Sequence, residues 1–276
     1  MVEKKNPAVR ILMYVLLICL TVITLIPLLW MLSASLKIDR EVFSIPIRCI
    51  PENPQWSNYV KIWSKIPLST FTFNTIKLTV IITIIQVLTS SFAAYGFAKC
   101  TFKGRDILFL CYVATMAIPW QVYMLPQYSM MNQMHLVDTH IGYILMQSFS
   151  AFGVFLMRQF FISIPNELLE AARIDGMTEY GIFAKIALPL SMSSISTLVI
   201  FTFVTIWNDY MGPMIYFNTE TKKTLQLGIK MFIGQYATEY GLVMAASVLS
   251  LIPVLVIFLL GQKQFVQGIA SSGIKG

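Results

Sequence analysis

The chain has 276 residues, of which 57% are hydrophobic and only 12% are charged, whereas soluble domains carry about 25% charged residues. Its mean hydropathy is +0.71 and its formal net charge is +7. This composition excludes an ordinary soluble domain and predicts an integral membrane protein surrounded by lipid. It also argues against nucleic-acid binding, because the basic residues are scattered among loops rather than gathered on one face.

The first predicted span follows a short basic segment at the N-terminus. Residues 11–36 carry no charge and exceed the roughly 20 residues needed to cross a bilayer. The run is too long for the apolar region of a cleavable signal peptide and lacks a clear small-residue cleavage site, so an uncleaved span is expected. Residues 37–70 follow as a polar connector rich in proline and aromatic residues, long enough to form a structured cap.

Five further apolar runs predict the remaining spans. They cover about 78–98, 107–130, 141–161, 190–211 and 240–262. Pro119 and Pro126 are predicted to break or kink the third span near its far end. Six spans place both termini on one side of the membrane. The short loop that holds Lys99, Lys103 and Arg105 favours the cytoplasm as that side.

A charged, helix-prone segment, Glu167–Leu190, separates the fourth and fifth predicted spans. Pro165 and the acidic residues after it favour a helix over roughly 166–174. Gly176 is predicted to end that helix in the left-handed conformation, and Thr178 is predicted to cap a second short helix. The segment is therefore expected to be two short helices joined at a glycine.

The surface of the first of these helices is suited to binding another protein. Ala171 and Ala172 are small and are predicted to leave a smooth surface beside the acidic Glu170 and Asp175. Such a surface fits into a groove on a partner. An ordinary solvated loop is the alternative interpretation.

The same segment matches a family signature at every position. ABC-importer permeases carry the EAA motif, whose pattern is EAA-x3-G-x9-I-x-LP. In this chain the motif positions are Glu170, Ala171, Ala172, Gly176, Ile186, Leu188 and Pro189. Further similar segments are NTIKLTV at 74–80, AAYGFAK at 93–99, FKGRD at 102–106, MAIPWQVYMLPQY at 116–128, RIDGM at 173–177, WNDY at 207–210 and QFVQGIASSGIKG at 264–276. Over nearly its whole length the chain resembles the MalG-type permeases of binding-protein-dependent carbohydrate importers.

The resemblance implies an all-α, polytopic membrane protein. It implies a single transmembrane domain over residues 1–276, with six transmembrane helices and a cytoplasmic coupling-helix (EAA) loop between helices four and five. Such a permease subunit forms half of the translocation pathway of an ATP-driven sugar importer. The implied partners are a second permease, two ATPase subunits, an extracytoplasmic solute-binding protein and a carbohydrate substrate. The implied location is the bacterial cytoplasmic membrane, with several passes and both termini in the cytoplasm.

The resemblance also implies that the seven motif residues couple this chain to the ATPase, with Glu170, Ala171, Ala172 and Gly176 forming the contact. The chain has no G-x-x-x-x-G-K-[ST] sequence and therefore no phosphate-binding loop of its own. ATP is expected to be bound and hydrolysed by a separate partner, so no catalytic residue and no cofactor are predicted in this chain. Its four cysteines show no CxxC spacing, and neither a disulfide nor a metal site is predicted.

Polar residues within or beside the predicted spans are candidates for lining the translocation pathway, because polar groups that face lipid are costly. They are Gln86, Gln121, Gln147, Asn208 and Asp209. Hydrogen bonding between helices is the alternative role for each of them.

Two other classes of protein are alternatives to an importer subunit. A stand-alone secondary carrier or channel would work without an ATPase. It is expected to hold ion-coupling charges near mid-membrane, whereas no predicted span has a charged residue at its centre. A membrane scaffold would use the charged segment for docking and would transport nothing.

Overall fold

The computed structural model describes residues 7–234 and 238–273, which form helices joined by irregular segments. The helices are α1 (Pro7–Ser35), α2 (Asp39–Val42), α3 (Asn58–Lys65), α4 (Leu68–Lys99), α5 (Arg105–Ala114), α6 (Trp120–Gln133), α7 (His140–Met146), α8 (Ala151–Ser163), α9 (Asn166–Ile174), α10 (Glu179–Ile182), α11 (Leu188–Leu190), α12 (Met192–Trp207), α13 (Met211–Tyr216), α14 (Leu225–Met231) and α15 (Tyr240–Gly273). Within the described ranges there is no β-strand beyond an isolated bridge between Ile233 and Thr238. The all-α prediction is confirmed. The predicted cytoplasmic ends, residues 1–6 and 274–276, lie outside the described residues.

Among the described residues up to six segments are able to cross a membrane, as the sequence predicts. Helices α1, α4 and α15 are each long and apolar enough to do so alone. The other three spans are bent pairs, Arg105–Ala117 with α6, α7 with α8, and Glu179–Leu190 with α12. Their bends are 100°, 46° and 78°. The sequence therefore locates the apolar runs but does not show how many of them are broken.

The break in the third span lies at Pro119. Ile118, which precedes the proline, has extended backbone angles (φ −89°, ψ 111°), and Pro119 itself has ψ 137°. A proline keeps the preceding residue out of the helical region and supplies no N–H, so the helix stops and α6 starts afresh. The predicted break is confirmed, but it lies midway along the span rather than near its far end. Pro126 lies inside α6 and does not end it.

The fourth predicted span, over 141–161, is a bent pair of helices and not one continuous helix. Helix α7 ends at Met146 and α8 begins at Ala151. Ser150 has extended backbone angles, and its side chain accepts a hydrogen bond from the Gly153 N–H. This is the N-cap arrangement that starts a new helix, and a serine within an apolar run is a weak sign of it in a sequence.

Three other span limits differ from the predicted ones. Helix α4 begins at Leu68, earlier than predicted, and Asn74 on this extension donates hydrogen bonds of 2.8 and 2.9 Å to carbonyls of the 221–223 turn. These bonds satisfy a polar side chain that lies outside the apolar run. Helix α12 ends short of the predicted limit at 211, and α15 continues beyond the predicted limit at 262.

The chain divides into two compact units, and each is described by itself. The first contains the described residues up to 68 and residues 228–252. In this unit α1 exposes its apolar side chains along most of its length, as expected for a helix in contact with lipid. The connector after α1 is held in place by Asn58, whose Nδ2 donates to the carbonyls of Ser35 and Lys37 at 3.0 Å each. The prediction of a structured cap is confirmed.

The second unit contains residues 69–227 and the described residues from 253 onward. Its described residues include the following two apolar clusters. The first includes Tyr95, Phe161, Leu169, Ile182 and Phe183. The second includes Leu78, Ile82, Met131, Ile206 and Tyr216. Because Leu169, Ile182 and Phe183 belong to the first cluster, the segment between the fourth and fifth spans is part of a core. The interpretation of that segment as an ordinary solvated loop is therefore wrong.

Candidate functional site

The EAA segment, which we define as Glu167–Leu190, begins in the helix that the sequence predicts. Helix α9 spans Asn166–Ile174, and Gly176 follows with φ +79°, in the left-handed region. The N–H of the next residue donates to the Ala172 carbonyl and the Gly176 N–H donates to the Arg173 carbonyl, each at 3.0 Å. These paired bonds form a Schellman helix end. The predicted helix limits and the left-handed glycine are confirmed.

The second helix of the EAA segment is capped as predicted. Thr178 Oγ1 accepts a hydrogen bond of 3.2 Å from the Gly181 N–H. After α10 the chain passes through a wider helical turn over Phe183–Ala187 into α11. A widened turn of this kind inserts a residue into the helix and is frequent at functional sites.

The two alanines of the motif lie on opposite sides of α9. Ala171 is exposed, whereas Ala172 is 6% exposed and belongs to the apolar cluster with Leu169. Residues three apart share one face of a helix, so Leu169 and Ala172 point inward together. The prediction that both alanines form the outer surface is wrong for Ala172. Glu170 and Asp175 are exposed beside Ala171.

Two large apolar side chains beside Gly176 were missed in the sequence. Ile174 is 87% exposed and Tyr180 is 78% exposed, although both lie in a segment that packs on a core. Leu168 adds a third apolar side chain, at 44% exposure. Clustered exposed apolar residues commonly mark a contact with another protein. The sequence could have indicated this exposure, because Ile174 and Tyr180 lie on either side of Gly176 and away from the buried Leu169 and Ile182.

An ion pair joins the two helices of the EAA segment to each other and to α4. Arg173 donates to both carboxylate oxygens of Glu179, at 2.6 Å from Nε and 3.3 Å from Nη2. The Tyr95 hydroxyl on α4 donates to Glu179 Oε2 at 3.2 Å. The hydrogen bond with Glu179 raises the pKa of Arg173. Nothing in the sequence pattern indicates that Tyr95 reaches this pair.

Lys99 holds the junction between α8 and α9. Its Nζ donates to the Ile164 carbonyl at 2.6 Å and to Asn166 Oδ1 at 2.8 Å. The Ile164 carbonyl belongs to the end of α8, where a cation satisfies an acceptor that the helix leaves free. Together with Tyr95, Lys99 attaches the EAA segment to the last turns of α4.

The remaining motif residues lie in and after the widened turn. Ile186 and Leu188 are half-buried and pack against the first apolar cluster, whereas Pro189 is exposed. The positions of Ile186 and Leu188 suit them to anchor the segment to the membrane helices. Glu170, Ala171 and Gly176 form the outer part of the motif.

Two adjoining cavities lie near two of the candidate pathway residues. The larger, of about 430 Å³, is lined by Gln86, Gln147, Phe149, Ser150, Phe152, Phe201, Thr202, Thr205 and Ile206. The smaller, of about 120 Å³, is lined by Trp120, Tyr123, Gln127, Tyr143, Met146, Gln147, Phe149, Gly212 and Tyr216. Gln147 lines both cavities. Gln121 is exposed and lines neither of them.

Asp209 is held by hydrogen bonds from the wall of the smaller cavity. Its Oδ2 accepts a hydrogen bond of 2.6 Å from the buried Tyr143 hydroxyl, and its Oδ1 accepts one of 3.0 Å from the Gly212 N–H. Both of these residues line the smaller cavity. Asn208, by contrast, is exposed and donates to the Val204 carbonyl at 2.9 Å.

Gln86 shows the alternative role, hydrogen bonding between helices. Its Nε2 donates to the Gln147 carbonyl at 2.6 Å, and its Oε1 accepts from Thr202 Oγ1 at 3.2 Å. Thr89 similarly donates to the Ser148 carbonyl at 2.8 Å. These bonds from α4 satisfy carbonyls that the break between α7 and α8 leaves free.

Asp138 organises the turn that follows α13. It accepts hydrogen bonds from the backbone N–H groups of Asn218 and Thr219 at 3.0 and 3.1 Å, and it also binds the Thr219 hydroxyl and Lys222 Nζ. Partial burial favours the protonated carboxyl, but the bonds from Thr219, Asn218 and Lys222 outweigh it and lower the pKa of Asp138 to about 2. Among the described residues no group of three or more His, Cys, Asp or Glu side chains is placed to hold a metal ion.

Comparison with known proteins agrees with the motif. Residues 86–271 match the family described as the binding-protein-dependent transport system inner membrane component. The chain is similar to the arabinooligosaccharides transport system permease protein AraQ of Halalkalibacterium halodurans, with 31% identity over all of both chains. It is also similar to the sn-glycerol-3-phosphate transport system permease protein UgpE of Yersinia enterocolitica, with 32% identity over 99% of each chain.

Solved structures share the fold. A chain of a bacterial ABC transporter involved in the import of the acidic polysaccharide alginate superposes with a TM-score of 0.82 at 26% identity, covering 96% of this chain and 99% of that one. The family match, the two relatives and the superposition all indicate the same family. The chain belongs to the binding-protein-dependent inner-membrane permeases of ABC importers.

Proposed function

We propose that this chain is the permease subunit of an ATP-driven, binding-protein-dependent sugar importer, in which it forms half of the translocation pathway. Relatives over the full chain transport arabinooligosaccharides or sn-glycerol-3-phosphate, and the alginate importer shares the fold. The remaining parts of the importer would be a second permease, two ATPase subunits and an extracytoplasmic solute-binding protein. Residues 1–276 would act as one transmembrane domain in the bacterial cytoplasmic membrane, with both termini in the cytoplasm.

The exposed face of the EAA segment is the observation that carries this proposal. It combines the acidic Glu170 with the small Ala171 and with two exposed apolar side chains, Ile174 and Tyr180. An apolar centre with a charged rim is typical of a protein-protein contact. We infer that the ATPase binds this face, so that the outer motif residues touch the partner and the inner ones hold the segment in position.

The hydrogen bonds behind this face give a route for coupling. A displacement of α9 by the ATPase would move Arg173. Because Arg173 binds Glu179 and Glu179 binds Tyr95, the displacement would be transmitted to α4. The same displacement would act on the α8–α9 junction, which Lys99 of α4 holds. ATP-driven movement of the ATPase would therefore reach two membrane helices, α4 and α8, without any ATP site in this chain.

Cross-linking tests the ATPase contact. In a variant without the four native cysteines, a cysteine at Ala171 should cross-link to the ATPase when the importer is purified from its own membrane. The matched control is a cysteine at Lys103, which is exposed in the loop between α4 and α5. Equal cross-linking at Lys103 and Ala171, or none at Ala171 while the ATPase co-purifies, would contradict the assigned contact.

A further inference from the structure

The two cavities described above adjoin at Gln147 and Phe149, which line both of them, and we define the pair as the cleft. We propose that this cleft is a subsite for a neutral glycosyl unit on the translocation pathway within this subunit. The inference rests on the proposed function. It adds where the sugar contacts this chain and which chemical kind of sugar unit the contact accepts.

Interrupted helices meet at the cleft. Trp120 is the first residue of α6 after the Pro119 break, Gln147 directly follows α7, and Gly212 lies at the start of α13. Irregular backbone at membrane depth is stable only where it is buried in protein or lines a water-filled cavity. Solute sites in transporters are commonly built where such discontinuous helices meet. The cleft likewise lies at the ends of interrupted helices.

Aromatic side chains dominate the walls of the smaller cavity. Trp120, Tyr123, Tyr143, Phe149 and Tyr216 contribute rings to it. A sugar ring has a face of C–H bonds, which packs on an aromatic ring, and a rim of hydroxyl groups, which needs polar partners. Pockets that hold small solutes combine these features, with mostly apolar walls and a few placed polar groups.

One polar group in the smaller cavity has no partner. Tyr216 is 1% exposed, and its hydroxyl makes no hydrogen bond to any described residue. Buried tyrosine hydroxyls usually have a partner, and an exception needs an explanation. A tyrosine hydroxyl keeps its proton near neutral pH and is therefore able to donate. A hydroxyl group of a sugar in the cleft would supply the missing acceptor.

Amide groups provide further contacts. Gln127 Oε1 already accepts a hydrogen bond of 2.9 Å from Trp120 Nε1, which fixes the amide and leaves its N–H groups to donate. Gln147, which also carries an amide, lines both cavities. Amides both donate and accept, as the hydroxyl groups of a sugar do.

The charges around the cleft select against acidic sugars. Among the described residues that line the two cavities there is no lysine or arginine. The carboxylate of Asp209 accepts hydrogen bonds from Tyr143 and Gly212 of the cavity wall. A phosphate or uronate group would enter without a cationic partner and beside a negative charge. The cleft therefore fits a neutral glycosyl unit, as in an arabinooligosaccharide, better than a sugar phosphate.

The substitution Tyr216→Phe tests the inference. Removing a buried hydroxyl that has no partner should leave folding unchanged or improve it, because nothing is lost from the folded state. If the hydroxyl binds the moving sugar, the maximal rate of uptake should fall by about five- to tenfold, as expected for the loss of one hydrogen bond. The half-saturating concentration should stay unchanged, since the solute-binding protein sets it. Thr79→Val is the matched control, because the Thr79 hydroxyl is also buried without a partner but does not line the cleft.

The assay uses the complete importer in proteoliposomes with three probes: arabinotriose, sn-glycerol-3-phosphate and an alginate trisaccharide. Uptake of arabinotriose that is slowed by Tyr216→Phe and not by Thr79→Val supports the subsite. Equal rates for both variants and the unmodified protein would overturn the subsite and leave the importer function standing. Uptake of only the two acidic probes would overturn the neutral specificity. If no probe is taken up in an ATP-dependent way, the proposed function fails and the subsite fails with it.

Discussion

The geometry of the EAA segment depends on the backbone conformation of Gly176. Its φ of +79° allows the Schellman end of α9 and the reversal into α10. A Cβ added there would meet no atom within 4 Å, so a substitution acts through backbone strain and not through a clash. The left-handed conformation costs a non-glycine residue about 1–2 kcal/mol.

The first prediction concerns Gly176→Val. The variant should insert into the membrane and assemble with the second permease, but it should retain less ATPase on purification and show less ATP-dependent uptake. The three quantities can be measured on one membrane preparation. Gly104→Val is the control, because Gly104 has φ +81° and an equally open surrounding in another loop. Equal loss of ATPase in both variants would show that strain alone, and not the EAA segment, explains the effect.

The second prediction concerns pH and Asp138. Its folded-state pKa of about 2 lies below the value of about 3.9 expected in an unfolded chain. The stability that Asp138 contributes is therefore fully present above about pH 5 and is lost as the pH falls toward 2. Asp138→Asn should lower the free energy of unfolding at pH 6 by roughly 1.5–3 kcal/mol. Thermal unfolding in detergent between pH 3 and 7 measures this.

Melting temperatures of the variant and the unmodified protein at low pH test whether the Asp138 carboxylate is the titrating group. The difference in melting temperature should shrink as the pH is lowered from 6 to 3, because protonation removes the same charge that the substitution removes. A difference that is constant over this range would mean that the Asp138 carboxylate is not the titrating group.

At the scale of single residues, the sequence predicts what depends on local backbone preference. Gly176, the Thr178 cap and the break at Pro119 each follow from the conformations that one residue type allows, and all three are confirmed. It does not predict contacts that depend on distant parts of the chain. Tyr95 and Glu179, for example, are 84 positions apart and meet only because α4 and α10 pack together.

At the scale of elements, the packing of α4 on α8 depends on a small residue. A Cβ added to Gly153 would lie 2.4 Å from Ser90 Oγ, 3.0 Å from Ser90 Cβ and 3.2 Å from Leu198 Cδ1. Ser90 is fully buried, and its hydroxyl has no partner among the described residues. Small residues let membrane helices approach closely, so Gly153 sets the distance between these two helices.

The third prediction follows from this contact. Gly153→Ala should destabilise the protein by about 1–3 kcal/mol, as overfilled cores do. Ser90→Ala alone should be neutral, because it removes a hydroxyl without a partner. The double variant should recover part of the loss, because the loss of the Ser90 hydroxyl leaves more room beside position 153. Melting temperatures of the four proteins give the interaction energy, and strictly additive effects would contradict the direct contact.

The broken spans mark the limit of reading elements from a sequence. Hydropathy over a window reports which residues are apolar, and it located all six runs. A break costs little when side chains from another helix satisfy the freed carbonyls, as Gln86 and Thr89 do between α7 and α8. That compensation is tertiary and leaves only a serine cap in the local sequence. The burial of Ala172 was missed for the same reason, because which face of α9 turns inward depends on α4 and α8.

At the scale of the whole molecule, the chain is a membrane component without a phosphate-binding loop, and it belongs to a family of importer permeases. In the proposed importer, the exposed EAA surface would receive movement from the ATPase, and the aromatic cleft would contact the solute. A secondary carrier would need none of the EAA features. The importer and the secondary carrier therefore differ in the energy source for transport, which is ATP hydrolysis for the importer and an ion gradient for the carrier.

Uptake by a reconstituted importer tests the central claim most directly. The chain and its second permease are placed in proteoliposomes. The two ATPase subunits and the nucleotide are inside the vesicles, and the solute-binding protein is outside. Uptake of radiolabelled sugar is followed with ATP, with a non-hydrolysable analogue and without the binding protein. The account predicts uptake only when ATP and the binding protein are both present, and loss of that uptake in Gly176→Val. Accumulation of solute by this chain alone, driven by an ion gradient and unaffected by the omission of the ATPase, would contradict it.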